Sequence, residues 1–309
     1  MISHDRITLI GGSPGTTIDG AGSLDALSVF GSHGITIIAL NLTGAQHGLF
    51  IGQGSTVSAD SIRTFNNDRG IEIFDNSFFR GTNIESHDNL ASGFRINAST
   101  VWLDSIKSEQ NGSSGITATA SHIDLHGTNV ISKNTRDGIL MDGSQVNLAG
   151  ITTSAENHEF GIVVQNGSTL FTTSTTINAN PGGGINVQST SHATFVNGSV
   201  TNNGGGTGGG GIHVGDNSDV YLNGTVNVTN NTGAGVQVEL SSVFSSLGGN
   251  QISTNTGDGV LVRRMGMAHF FAPDTMVGNG GASVACDTTT LVVGDVSSLA
   301  RVRCPRVTP

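Results

Sequence analysis

Apolar and polar residues alternate along this chain in short runs, and the runs recur. The element Gly-apolar-x-apolar appears as Gly70-Ile71-Glu72-Ile73, Gly93-Phe94-Arg95-Ile96, Gly115-Ile116-Thr117-Ala118 and Gly138-Ile139-Leu140-Met141. It returns at Gly161, Gly184, Gly211, Gly235 and Gly259. Successive glycines stand 22 to 24 residues apart, except for 27 between Gly184 and Gly211. A second alternating run follows in each unit, as in Val101-Trp102-Leu103 or Val146-Asn147-Leu148. A third apolar position comes next, for example Ile84, Ile106, Val130 or Ile252. Asparagine closes each unit, from Asn67, Asn89 and Asn111 to Asn255 and Asn279. Period-two alternation marks strands, so each unit reads as three short strands with turns between them. No segment carries the helical period with caps.

One such unit cannot bury its own apolar positions. Stacked copies can, because each lays its strands beside those of the next, about 4.8 Å away. Equivalent side chains then form ladders. A ladder of asparagines would satisfy buried turn amides. The glycine before the first strand is expected to supply a positive φ. On these residues the chain resembles the right-handed parallel β-helix superfamily of pectate lyases and related polysaccharide-acting proteins, over about residues 33–280. The right hand is what the resemblance implies; spacing does not give it.

The expected architecture is all-β: one right-handed parallel β-helix of about eleven coils, three short strands per coil, forming a single domain over residues 1–309. Residues 1–32 read as irregular first coils, 33–280 as regular coils and 281–309 as a C-terminal cap. Family members usually close the first coil with an amphipathic helix, and none is visible here. An open strand edge is normally avoided, so either a cap has been removed from this chain or a homo-oligomer or partner covers the edge. The stretch 202–211 is the one clear insertion and reads as a mobile loop.

Composition narrows the class. Only 12% of residues are charged and the net charge is −10, which argues against nucleic-acid binding. No run of eighteen apolar residues suggests membrane insertion. Cys286 and Cys304 both fall in the last 24 residues and are expected to close one loop as a disulfide. That implies an oxidising compartment: secreted, periplasmic or cell-surface. The start, Met1-Ile2-Ser3-His4-Asp5, has no leader character, so a leader would be absent from this chain.

In the superfamily, activity usually sits in a groove on an outward strand face. The outward positions of the first strands run Phe50, Glu72, Arg95, Thr117, Leu140, Val163, Asn186, His213, Gln237 and Leu261. Glu72 and Arg95 are the adjacent charged pair in that series. Charge concentrates around them, since residues 60–110 hold over a third of all charged residues. The candidate catalytic set is Glu72, Asp75, Arg69 and Arg95. Glu72 or Asp75 would serve as an acid or a Ca²⁺ ligand, and Arg69 or Arg95 would bind a substrate carboxylate. His87, Asp104 and Lys107 would contact substrate. The alternative is a solvated face of cross-coil ion pairs, each worth at most about 1 kcal/mol.

Other signals are weaker. Val101-Trp102-Leu103-Asp104-Ser105 resembles the pectate lyase Trp-Ile-Asp-His element, with serine in place of the histidine. The diagnostic strings of alginate epimerases and polygalacturonases are absent. His122-x-Asp124-x-His126 places three metal-capable side chains on one strand face, which suits either Zn²⁺ or a plain polar surface. With one Trp and one Tyr, aromatic sugar platforms are scarce. The expected function is a secreted carbohydrate-active protein, a lyase or hydrolase of an acidic polysaccharide. The alternative is a non-catalytic surface, structural or glycan-binding protein, such as an adhesin, passenger or fibre segment.

Overall fold

The repeated Gly-apolar-x-apolar elements are the strands of a parallel sheet, and the two later runs of each unit build a second one. The computed structural model describes the chain except residues 13–14, 205–209, 295, 297–298, 300, 306 and 309, and the side chains of 307–308. It divides into two compact units, Met1–Thr152 and Thr153–Pro309. Both are parallel β-solenoids with no helix among the described residues, and together they hold about twelve turns. Among the described residues no helix is long and apolar enough to cross a membrane.

In the first unit the first sheet runs Asp25–Phe30, His47–Gly52, Arg69–Ile73, Phe94–Asn97, Ile116–Thr119 and Ile139–Asp142, each parallel to the next. The register places Phe50 beside Glu72, Glu72 beside Arg95 and Arg95 beside Thr117, as the repeat requires. The second sheet takes the other two strands of each turn, for example Phe78–Thr82 and Glu85–His87. Elsewhere these fuse into one bent strand, as in Thr56–Phe65, where Ser61 makes the bend at φ 56°. The first thirty residues join the same ladders: Thr8–Ile10 and Thr16–Asp19 pair with Ile35–Thr43, and Asp25–Phe30 pairs with His47–Gly52. Inward residues such as Ile71, Ile73, Phe79, Ile84, Phe94 and Val101 are fully buried. Burying each stabilises the fold by about 1.5–3 kcal/mol.

The asparagine ladder is present. Asn89 Oδ1 accepts from both the backbone N and the Nδ2 of Asn67, each at 3.2 Å. Asn111 receives Asn89 in the same way, and each Nδ2 also donates to a buried carbonyl. The residue before each asparagine turns the corner at positive φ: Asn66, Asp88 and Gln110. The neighbouring glycines do not, which corrects the expectation. A Cβ on Gly93 would lie 2.2 Å from Ser108 Oγ and 2.7 Å from Asn111 Nδ2. Space beneath the ladder, rather than backbone freedom, selects glycine there. A second ladder was not foreseen. Ser77, Ser99, Ser121 and Ser144 each accept from the backbone N of the equivalent serine one turn earlier, at 3.1–3.3 Å.

In the second unit the first sheet runs from Phe160–Gln165 through Gly183–Val187, Gly210–Val214, Ala234–Val238, Val260–Val262 and Val284–Cys286 to Val302–Arg303. Its asparagine ladder joins Asn157, Asn180, Asn203, Asn231, Asn255 and Asn279 at 2.9–3.1 Å. Of the expected insertion loop 202–211, Asn203 is a rung of the ladder and Gly210 begins a strand, while 205–209 lie outside the described residues, as does Arg306 of the expected cap. Cys286 and Cys304 form a disulfide, as the sequence suggested.

Candidate functional site

Parallel register builds a charged cluster on the outer face of the first sheet in the first unit. It sets Asp25 beside His47 and His47 beside Arg69, at the strand starts. Three positions further along, Glu72 stands between Phe50 and Arg95. His47 bridges the two columns. Its Nδ1 lies 2.8 Å from Asp25 Oδ1 and its Nε2 lies 2.6 Å from Glu72 Oε2. Arg95 reaches Glu72 Oε1 at 2.9 Å, and Arg69 approaches Oε2 at 3.6 Å. Phe74 lies under the Arg95 guanidinium, 5.1 Å from ring to charge, and Phe50 packs on His47.

Both central groups are buried, Glu72 at 3% and His47 at 7% exposure. Burial alone would push the Glu72 carboxyl up, but the His47 hydrogen bond and the charges of His47, Arg69 and Arg95 outweigh it. Glu72 is therefore held below its ordinary value. Burial also opposes charge on His47, and the hydrogen bonds to Glu72 and Asp25 overcome it, raising the imidazole. The result is an ionised Glu72 and a histidine biased toward its charged form. Arg69 also lies 4.0 Å from Asp68, so three carboxylates meet His47 and two guanidinium groups here.

Three of the expected residues thus meet: Glu72, Arg69 and Arg95. Asp75 does not join them. It is an exposed corner residue at φ 58°, and its carbonyl accepts from Gly54 N. His87, Asp104 and Lys107 belong to the second sheet instead. His87 stacks on Phe65 at 5.4 Å and bonds Asp88. Lys107 lies 3.8 Å from Glu85, which also pairs with Arg63. Asp104 accepts from Ser105 Oγ at 2.7 Å. One groove holding all seven does not form, because successive strands of a turn face different ways. His47 and Asp25 went unnoticed in the sequence; the signal was their register with Arg69, three positions before the outward series.

Ca²⁺ does not suit Glu72, since both of its oxygens already face cations. The carboxylates of Asp25 and Glu72 sit on opposite nitrogens of His47, so the three do not converge on a point. Nor do His122, Asp124 and His126: His122 bonds Asp124 at 3.0 Å, while His126 packs on Trp102. No group of three or more His, Cys, Asp or Glu is gathered to hold a metal ion among the described residues.

The second unit carries a similar chain of contacts on its own first sheet. His213 Nδ1 lies 2.8 Å from Asn186 Oδ1 and its Nε2 lies 3.1 Å from Glu239 Oε1. Arg263 Nε donates to Glu239 Oε2 at 2.7 Å. Burial pushes Glu239 up, and the hydrogen bonds from His213 and Arg263 bring it below the ordinary carboxylate range.

Comparison with known proteins places the fold. No curated protein matches the chain. Among solved structures, the A-module of the Azotobacter vinelandii mannuronan C-5 epimerase AlgE6 is similar, with a TM-score of 0.59 and 16% identity over 99% of this chain and 82% of that one. The A-module of AlgE4 from the same organism is similar at a TM-score of 0.54 and 12% identity, over 84% of this chain and 91% of that one. At these identities the likeness is one of fold. The family described as the right handed beta helix region matches residues 137–295, over half the chain, and the protein belongs to that right-handed β-helix family.

Proposed function

We propose that this is a secreted carbohydrate-active protein that holds an acidic polysaccharide against the outer face of the first sheet in its first unit and cleaves it. The observation that carries this reading is the continuous chain Asp25–His47–Glu72–Arg95, with Arg69 beside Glu72 and a partly exposed Arg95 at its end. Arg95 and Arg69 present guanidinium groups to a uronate carboxylate, which they match in charge and shape. Neutralising that carboxylate acidifies the neighbouring C–H, which favours a lyase; anchoring the ring serves a hydrolase equally. In both reactions the leaving glycosidic oxygen must gain a proton. In a lyase the acidified C–H must also lose one; His47, with Nδ1 on Asp25 and Nε2 on Glu72, has no ring nitrogen free for either transfer and acts by holding Glu72 and the arginines in place. Glu72 is ionised and positions His47 and Arg95 rather than donating. The fold is shared with modules whose names place them on mannuronan, and the Cys286–Cys304 disulfide fits an oxidising compartment.

The burial of His47 and Glu72 behind the arginines favours a second reading, a protein that binds acidic glycans without cleaving them. An activity screen separates the two. Acidic and neutral polysaccharides are incubated with the protein, with and without Ca²⁺, following reducing ends and the ultraviolet absorbance of unsaturated uronate. Cleavage of acidic polymers alone, lost in His47→Gln and weakened about tenfold or more in Arg95→Ala, is expected. New absorbance identifies a lyase, and its absence a hydrolase. Binding without product from any polymer would leave the second reading.

A further inference from the structure

We infer that the outer face of the second sheet in the first unit carries a separate sugar subsite, where Trp102 stacks against one uronate ring and Arg80 pairs with its carboxylate. Three strands build it side by side: Phe78–Thr82, Thr100–Asp104 and His122–His126. Parallel register puts Trp102 beside Arg80, and Asp104 between Thr82 and His126. These residues line an open cavity of about 170 Å³. Pockets for whole drug-sized ligands run from about 300 Å³ upward, so this one suits a single ring of a longer chain.

Four observations point to a ligand. Trp102, the sole tryptophan, is 43% exposed, although a surface strand position could carry any polar residue. An exposed indole with polar neighbours is a platform for the apolar face of a sugar ring. Arg80 lies 5.9 Å from the centroid of that ring. Among the described residues it pairs with no carboxylate, whereas Arg63, Arg69, Arg95 and Arg263 each do. His126 packs on Trp102 at 5.4 Å, and its Nε2 is buried without a hydrogen-bond partner among the described residues. Such a nitrogen calls for a partner that the protein does not supply. Asp104 directs one oxygen to Ser105 and leaves the other to accept from a sugar hydroxyl. The unpaired guanidinium selects a uronate over a neutral sugar.

The choice of ligand rests on the acidic-polysaccharide reading above, but the subsite does not depend on the cluster around His47. Trp102 itself is the reporter. The full chain is titrated with a uronate tetrasaccharide and, separately, a neutral glucose tetrasaccharide, following tryptophan emission. The parent, Arg80→Gln and, as a charge control, Lys133→Gln at an exposed corner are compared, and acrylamide quenching confirms in each that Trp102 remains accessible. The expected result is a saturable change with the uronate only, an apparent Kd raised about tenfold or more in Arg80→Gln, and an unaltered titration in Lys133→Gln. An accessible Trp102 that is silent to the uronate overturns the proposal, as does an equal response to the neutral sugar or in Arg80→Gln. If polymer is cleaved while Trp102 stays silent, the subsite fails and the cleavage reading stands. If Trp102 responds and no polymer is cleaved, the reverse holds.

Discussion

His47 Nε2 lies 2.6 Å from Glu72 Oε2, across one step of the parallel ladder, with both side chains almost wholly buried. Neither residue would be stable there as a lone charge. Asp25 on the far side of the imidazole, and Arg95 and Arg69 on the far side of the carboxylate, make the pair tolerable.

That pairing predicts a bell-shaped stability term. His47 is raised above 6.5 in the fold, so its contribution is complete below pH 6.5 and fades as pH rises through the folded value. Glu72 is lowered below 4.5, so its contribution is complete above pH 4.5 and fades as pH falls through the folded value. The stability difference between the parent and His47→Gln should be greatest between these limits and shrink on both sides. Thermal unfolding across pH 3 to 9, roughly two units beyond each ordinary value, would show this. A flat difference would mean that the two groups do not titrate as a pair.

Glu72 and Arg95 should differ sharply on truncation. Glu72→Ala leaves His47, Arg69 and Arg95 facing one another, and should cost about 3–5 kcal/mol. Arg95 is 40% exposed, and water can replace much of what Arg95→Ala removes, so about 1 kcal/mol is expected. Urea unfolding measures both. Equal losses would refute the view that Glu72 is the hub.

Much of the fold was legible because a parallel solenoid writes its period directly into the sequence. Glu72 and Arg95 each follow a Gly-apolar pair, so their adjacency could be read from spacing. His47 is legible only in a different column, the one it shares with Asp25 and Arg69. It precedes its own strand's glycine, Gly48, and touches Glu72 by reaching diagonally across two columns. Asp75 looked close to Glu72 in sequence, yet a corner at positive φ separates them. The exposed Trp102 was visible as a residue, but its partners Arg80 and His126 come from turns on either side, and only register brings them together.

The disulfide yields a further prediction. Cys286 and Cys304 are 18 residues apart, and closing a loop of that size restricts the unfolded chain by about 3 kcal/mol. Reduction, or the Cys286→Ser Cys304→Ser double variant, should lower the unfolding midpoint accordingly. An unchanged midpoint in dithiothreitol would show that the bond contributes nothing to stability.

Asn111 sits mid-ladder in the first unit and is fully buried. Its Nδ2 donates to Ser86 O at 3.1 Å and to Asn134 Oδ1 at 3.0 Å, while its Oδ1 receives Asn89 twice. Asn111→Ala strands several of these groups, each at about 1–3 kcal/mol. A loss of more than about 3 kcal/mol is therefore expected in urea unfolding. The same change at Asn279, which is only partly buried and the last rung of the second unit's ladder, should cost less. Equal losses at the two sites would argue that the rungs act independently of burial.

Gly93 and Gly54 test why glycine recurs at one column and only sometimes at another. Gly93 has an ordinary φ, but a Cβ there would press on Ser108 Oγ at 2.2 Å and on the carbonyl of Gly115 at 2.9 Å, beneath the asparagine ladder. Gly54 has φ +71° and open space around it. Gln53 beside it already holds φ 57° at the same corner, so that backbone shape accepts a side chain. Gly54→Ala should cost about 1 kcal/mol, the strain of one left-handed residue. Gly93→Ala should cost more, about 2–3 kcal/mol, because serine, asparagine and backbone must all yield. If Gly54→Ala proves the worse of the two in urea unfolding, backbone conformation rather than packing governs these positions.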